Sequence, residues 1–305
     1  LQSQIKLTMD PWFVTGFTDA VRSGCFTLSI VRNKEFKVGW RVKPRFQITL
    51  HQKDKALLEQ MKSYFGAGNI YPHGPEALQY QVQSVQDLKM VLNHFEKYPL
   101  KTQKFADYKL FKQAVELIEQ KEHLTSEGLA KIVAIKGSMN LGLSSKLKAA
   151  FPNILPIDRP LVKGYPSIQD PNWFAGFTNG EGCFLVIVKK SPTTKTGFSV
   201  SLRFELTQHN RDLELMQSLI KFWNCGSVNE RSKQPAVDFT VSKLADIQNI
   251  IIPFFLKYPI LGIKSKDFAD FCKVTELMKT KAHLTNEGLD QISEIKAGMN
   301  KGRPD

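Results

Sequence analysis

At 305 residues, with 42 Lys and Arg against 29 Asp and Glu, the chain carries a formal charge of +13, and it is long enough for one large core or two modest ones. Such a balance favours a polyanionic partner. The sequence has no apolar run near the roughly 20 residues that cross a bilayer and no secretory or transit signature in its first residues. Its four cysteines, Cys25, Cys183, Cys225 and Cys272, form no Cys-x-x-Cys pair. These features argue against a membrane span, a zinc site and a disulfide framework, and for a soluble protein in a reducing compartment.

The chain is written twice. Pro11-Trp-Phe-Val-Thr-Gly-Phe-Thr-Asp19-Ala20 returns as Pro171-Asn-Trp-Phe-Ala-Gly-Phe-Thr-Asn179-Gly180, and each is followed by a Gly-Cys-Phe. Both segments are apolar and predict helices over 11–20 and 172–181. Gly16 and Ala20, and Gly176 and Gly180, lie four apart on one face that permits close helix contact. The copies differ at one point: Glu181 stands between Gly180 and Gly182, where the first copy has Val21-Arg22-Ser23.

Alternation predicts the strands that follow. In the first copy Phe26, Leu28 and Ile30 oppose Thr27, Ser29 and Asn33. Val42, Phe46, Ile48 and Leu50 oppose Arg41, Lys43, Arg45, Gln47 and Thr49, and Leu78, Tyr80 and Val82 oppose Gln79, Gln81 and Gln83. In the second copy Val200, Leu202, Phe204 and Leu206 oppose Ser199, Ser201, Arg203 and Thr207, and Val237, Phe239 and Val241 oppose Asp238, Thr240 and Ser242. Half-covered antiparallel sheets follow. Their outward faces are rich in Gln, Asn, Ser, Thr and Arg, residue types that pair with base edges, rather than in the Lys and Glu of a face built for solubility. Apolar spacing predicts helices over 55–65 and 212–223, then 105–119 and 268–278. Thr125 with Glu127, and Thr285 with Glu287, mark two further helix starts. Residues 141–170, with Pro152, Pro156, Pro160 and Pro166, read as a linker along the surface, without a single long helix, between domains at 9–140 and 171–303. Residues 1–8 fall outside the repeat and read as the stub of a longer translation product.

The match Lys97-Tyr-Pro with Lys257-Tyr-Pro pairs Lys104 with Lys264 as basic residues that could meet phosphate or water. The match Phe105-Ala-Asp with Phe268-Ala-Asp instead pairs Lys101 with Lys264. Both candidates stand, and Gln47 and Gln208 are further ones.

The paired Gly-Phe-Thr-(Asp/Asn)-(Ala/Gly) segments, with Lys97-Tyr-Pro-Leu, His283-Leu-Thr and Met299-Asn-Lys-Gly-Arg, resemble the two motifs of monomeric LAGLIDADG homing endonucleases of the fungal mitochondrial type. The resemblance covers about residues 11–303. It implies an α+β fold of two pseudo-symmetric αββαββα domains, whose motif helices pack through Gly16, Ala20, Gly176 and Gly180 and whose antiparallel sheets form a saddle on double-stranded DNA. It further implies a mitochondrially encoded monomer, intron-encoded, with no membrane partner. Expected DNA contacts are Thr27, Ser29, Asn33, Arg41, Lys43, Arg45, Gln47, Gln79, Gln81, Gln83, Lys189, Ser199, Ser201, Arg203, Thr207, Asp238 and Thr240. The acid ending each motif helix would hold Mg2+, or Ca2+ or Mn2+ in its place, for phosphodiester hydrolysis. Glu181 matches the second acid, and Ala20 and Gly180 could add backbone oxygens. Lys264, Lys104 and Lys101 are the catalytic lysine candidates. Val21 falls where the first acid belongs. Asp19, the nearest carboxylate, aligns with Asn179 and reads first as a helix-end hydrogen-bonding residue and second as a replacement ligand. The lost acid leaves open a decayed enzyme, a deliberate inactivation, a nickase, or a rearrangement that recruits Asp19. The alternative function is a catalytically inactive DNA-binding remnant, or an RNA-splicing maturase with RNA as partner. A generic basic scaffold would leave the paired motif unexplained.

Overall fold

The computed structural model describes residues 9–21, 25–162 and 170–303. The terminal stub 1–8, Arg22, Ser23 and part of the linker around Pro166 lie outside the described residues. The chain divides into two units, Leu1–Pro166 and Ser167–Asp305, and no helix among the described residues is long and apolar enough to cross a membrane.

The first unit opens with α1 (Pro11–Ala20). Asp10 caps it by accepting the Trp12 and Phe13 amides at 2.8 and 3.3 Å, and Pro11 occupies the first turn, where no amide is needed. There follow β1 (Phe26–Arg32), β2 (Trp40–His51), α2 (Lys55–Phe65), β3 (Asn69–Pro72), β4 (Ala77–Val82), α3 (Val85–Lys97), α4 (Lys104–Glu119), α5 (Ser126–Ser138) and the short α6 (Ser145–Ala150). All strand pairs are antiparallel, in the order β1-β2-β4-β3. The inward row of the expected alternation is the core. Phe26 lies 5.4 Å from Phe46 and 5.5 Å from each of Phe95, Tyr108 and Phe111 between ring centroids. Strand register is therefore fixed, because a slip of one residue would turn this aromatic row to solvent.

The second unit repeats the order with α7 (Pro171–Glu181), capped by Asp170 on the Asn172 amide at 2.8 Å. It continues through β5 (Gly182–Lys190), β6 (Phe198–His209), α8 (Leu213–Trp223), β7 (Ser227–Glu230) and β8 (Ala236–Val241), with sheet order β5-β6-β8-β7. Phe184 packs on Phe204, Phe255, Phe268 and Phe271 at 5.2–5.6 Å. The counterpart of α3 is broken into α9 (Leu244–Asp246), a π-helical turn (Ile247–Ile251) and α10 (Ile252–Lys257). Pro253 lies in the first turn of α10, and a proline ring inside a helix removes one amide donor and crowds the preceding turn. Last come α11 (Lys264–Lys279) and α12 (Asn286–Ala297), the latter capped by Thr285 on the Gly288 amide as Thr125 caps α5 on Gly128.

The described part of the linker, up to residue 162, is pinned to the first unit. Arg159 donates to both oxygens of buried Asp107 at 2.7 and 2.9 Å and to the Ser138 and Gln103 carbonyls. Phe151 meets Trp40 at 5.1 Å, and the Ile157 amide reaches the Ala134 carbonyl at 3.3 Å. A buried carboxylate needs a cation, and the first unit finds it in the linker.

Candidate functional site

The last carbonyls of a helix run out of intrahelical amides, though on α7 the Thr178 carbonyl still keeps the amide of Gly182. Lys104, the first residue of α4, crosses to α1 and donates from Nζ to the carbonyls of Thr18 at 2.7 Å, Val21 at 2.6 Å and Asp19 at 3.3 Å, with the Cys25 sulfur at 3.9 Å. Lys264, the first residue of α11, does the same on α7. It donates to Thr178 at 3.2 Å, Gly180 at 3.4 Å and Gly182 at 2.6 Å. An ammonium at a helix C-terminus complements the partial negative charge there, and the Lys264 contacts bracket Glu181 in the chain.

The same geometry settles the register between copies. Asp107 accepts the Asn140 amide at 2.9 Å and Asp267 accepts the Asn300 amide at 2.9 Å; both asparagines are left-handed, with φ of 49° and 53°. Asp107 thus answers to Asp267 and not to Asp270, so the Phe-Ala-Asp match is out of register and Lys104 is the counterpart of Lys264. Lys101 is the counterpart of Leu261. The Lys101 amide binds Asp19 and the Leu261 amide binds Asn179 at 2.7 Å. The Lys101 ammonium sits over the Trp12 ring at 5.1 Å, and burial pulls its pKa down against the opposing pull of Asp19.

Asp19 is buried and its two oxygens are engaged: Oδ2 accepts the Lys101 amide at 2.8 Å, and Oδ1 accepts the Thr102 amide at 3.1 Å and hydroxyl at 2.6 Å. It ties α1 to the loop before α4. Val21 follows α1 as its C-cap, its amide returning to the Phe17 carbonyl, and it is 7% exposed. Glu181 closes α7 and is half-buried. Gly182 beyond it is required by close approach, because a Cβ there would lie 2.4 Å from the Thr178 Cγ2 and 2.6 Å from its carbonyl oxygen. Gly16, Ala20 and Gly176 are buried and Gly180 is half-buried. Burial raises the thiol pKa of both Cys25 and Cys183, each countered in part by the neighbouring lysine. They are packed thiols rather than thiolates.

The outward sheet faces carry Thr27, Ser29, Arg41, Lys43, Arg45, Gln47, Gln81 and, in the second unit, Lys189, Ser199, Ser201, Arg203, Thr207, Asp238 and Thr240, all half-buried or exposed. Gln79 shares this face yet is buried. Its amide nitrogen donates to Thr49 at 2.8 Å while its oxygen accepts from Gln81, whose own oxygen accepts from Gln83. Gln83 lies just past β4, and Asn33 lies past β1 in a turn, where its side chain accepts the Glu35 amide at 2.9 Å. Short edge strands add residues that alternation could not reach: Asn69 pairs with Gln81, Tyr71 with Gln79, Ser227 with Thr240 and Asn229 with Asp238. Leu185 and Ile187 also occupy outward positions of β5, half-buried. Glu205 and Arg231 join the second face, Arg231 from the turn after β7.

The chain is thus two tandem α+β units, each with a four-stranded sheet displaying donors and a lysine locked on the end of its first helix. Residues 14–115 and 174–275 each match the LAGLIDADG endonuclease family, and the chain belongs to it. It is 42% identical over 289 residues to a protein named probable intron-encoded endonuclease 3 of Neurospora crassa, covering 94% of this chain and 54% of that protein. The chain thus spans about half the length of that relative. It is also similar to the LAGLIDADG homing endonuclease I-SmaMI bound to cleaved DNA, at 46% identity and a TM-score of 0.94 over 97% of this chain and 98% of that one. A second structure, I-SmaMI bound to an uncleaved DNA target in the presence of calcium ions, matches at 46% identity and a TM-score of 0.93 over 96% and 99%.

Proposed function

We propose that this chain is a sequence-specific endonuclease of the homing type that binds double-stranded DNA as a monomer and hydrolyses its phosphodiester bonds. The observation that carries the reading is Lys264 clasping the α7 end on either side of Glu181, in a unit whose sheet displays a row of base-pairing side chains. The sheet rows bind and orient the duplex, and the net charge of +13 draws it in. The lysines fix the backbone at the motif-helix ends and supply positive charge where a phosphate would sit. The carboxylate of Glu181 is the hard oxygen donor that suits Mg2+, Ca2+ or Mn2+. Among the described residues no three His, Cys, Asp or Glu side chains gather as a ready-made cage, so DNA phosphate oxygens would complete the coordination. Such a cation, when bound, polarises the phosphate and activates water. Likeness to an intron-encoded endonuclease of a fungus supports an intron-encoded product, and we place its gene in a mitochondrial genome.

Val21 favours a second reading. An aliphatic side chain stands where the other acid belongs, and Asp19 is occupied in holding the loop before α4. Cleavage would then be weak or confined to one strand, with a DNA-binding remnant or a maturase as the limiting case. The deciding experiment selects a target from a randomised duplex pool and follows each strand separately with and without Mg2+. Mg2+-dependent cleavage of both strands supports the endonuclease, a single nick supports the half-competent site, and tight binding without any cut supports the remnant. Selection of structured RNA over duplex DNA would refute the reading and favour the maturase.

A further inference from the structure

The second sheet carries a charged cluster where the first carries neutral amides. Thr207 faces Asp238 across β6 and β8 as Thr49 faces Gln79 across β2 and β4. In the first unit the pair closes with Gln79 donating to Thr49. In the second, the Thr207 hydroxyl donates to Asp238 Oδ1 at 2.7 Å, and Arg231 reaches over both. Its Nε donates to Asp238 Oδ2 at 2.6 Å, and its Nη2 donates to Asp238 Oδ1 at 2.8 Å and to the Thr207 oxygen at 3.2 Å. Glu205 stands 3.6 Å from the same Nη2 and 3.5 Å from Nη1 of Arg203.

A guanidinium has five N–H donors, and none of these bonds uses Nη1. Those bonds take the Nε hydrogen and both Nη2 hydrogens; the side chain is 39% exposed, and the two hydrogens of Nη1 are the donors left for a ligand on the sheet face. We propose that Arg231, aimed by Asp238 and Thr207, reads a guanine in one half of the target through the major groove. The proposal rests on the reading of the chain as a duplex-DNA-binding protein and adds a specificity determinant to it. Guanine alone offers two adjacent acceptors, N7 and O6, on that edge; adenine sets a donor beside its acceptor, thymine has one acceptor, and cytosine a donor. A clamped fork has already lost the rotamer freedom that a free arginine surrenders on binding. A phosphate contact is disfavoured by the surroundings, because two carboxylates flank the cation and would repel a phosphate. The cluster Arg203, Glu205, Arg231 and Asp238 sums to no net charge, which suits the neutral edge of a base.

The test is site selection from a randomised duplex pool by the full chain and by Arg231→Ala, Arg231→Lys and Asp238→Asn. The unaltered chain should fix guanine at one position, and Arg231→Ala should lower that preference about tenfold or more while leaving the other positions selected. Arg231→Lys should not restore it, because an ammonium lacks the planar frame that Asp238 and Thr207 hold on one edge while Nη1 stays free on the other, and Asp238→Asn should blur the same position alone. Arg231→Ala weakening all sequences equally, or selecting the same guanine as the unaltered chain, overturns the assignment while leaving duplex binding intact. Failure of the unaltered chain to select any duplex overturns both.

Discussion

His94 on α3 is the hinge of one prediction that links pH to the motif helix. It is 6% exposed, with Nε2 at 3.0 Å from the Thr15 hydroxyl of α1 and Nδ1 at 2.9 Å from the Tyr64 hydroxyl. Thr15 spends its one hydroxyl proton on the Tyr98 carbonyl at 2.9 Å, so Nε2 must donate to Thr15 and Nδ1 must accept from Tyr64. The imidazole is neutral in this arrangement, and burial depresses its pKa from 6.5 to about 3. The unfolded chain therefore binds a proton that the folded chain refuses: this stability is complete above the unfolded pKa and is lost as pH falls toward the folded one. Between pH 7 and pH 5 the loss is about 2 kcal/mol, from roughly 1.4 kcal/mol per pH unit over about 1.5 units. Urea unfolding of the unaltered chain and of His94→Gln at both pH values isolates it, since every other titrating group is common to the two. The variant should show about 2 kcal/mol less pH dependence, and imidazole NMR signals of the intact chain should stay neutral at pH 5. Equal pH dependence in both chains, or an imidazole that titrates near 6.5, would refute the argument.

Replacing Val21-Arg22-Ser23 by a single Glu should raise Mg2+-dependent double-strand cleavage by orders of magnitude with little change in affinity, and Glu181→Gln should then abolish it; efficient double-strand cutting by the unaltered chain would contradict this. Asp19→Asn should keep cleavage and cost about 1–2 kcal/mol in denaturant unfolding, because the Asn179 oxygen accepts one such amide at 2.7 Å in the other unit while the second Asp19 oxygen would become an amide group facing a donor. Asp19→Ala should cost about 2–4 kcal/mol in denaturant unfolding, by loss of charge-assisted bonds, and loss of cutting in a folded Asp19→Asn would instead make Asp19 a ligand. Lys104→Met and Lys264→Met should each lower the cleavage rate, on the order of a hundredfold, with a much smaller effect from Lys101→Met; the reverse order would make Lys101 the central lysine of the first unit. Duplex affinity measured across a salt series should fall with a log–log slope of about −0.9 per phosphate contacted, and a flat response would remove the polyanion reading.

The sheets were legible because half-covered strands must alternate, and Phe26, Phe46, Phe184 and Phe204 sit where that rule puts them, each fully buried. Family and fold were legible for a different reason, the two Gly-Phe-Thr segments recurring in one chain. Alternation fails on short elements, and β3 and β7, four residues each, are too brief for a period of two to show. Burial of Gln79 was hidden as well, since its partner Gln81 covers it from two residues away. Local identity left the lysines open: the Phe-Ala-Asp match competed with the Lys-Tyr-Pro match, and the register between the copies shows only in the backbone contacts of Lys104, Lys264, Asp107 and Asp267. Arg231 escaped because it lies in a turn, where no periodicity assigns a face. A lone Arg between a short strand and a hairpin facing Asp238 was the available signal.

Arg159 changes what counts as one half of the molecule. In the second unit Arg303, three residues beyond Asn300, donates to Asp267 at 2.8 Å and to Asp270 at 2.7 Å. The first unit has no basic residue at the matching distance from Asn140 and draws Arg159 back over the intervening segment to Asp107 instead. A chimaera that joins this half to a foreign partner at residue 140, the natural cut by sequence alone, would strand a carboxylate inside α4, three residues from Lys104. The portable module runs at least to Arg159, and the spacer available for re-engineering is the shorter stretch after it.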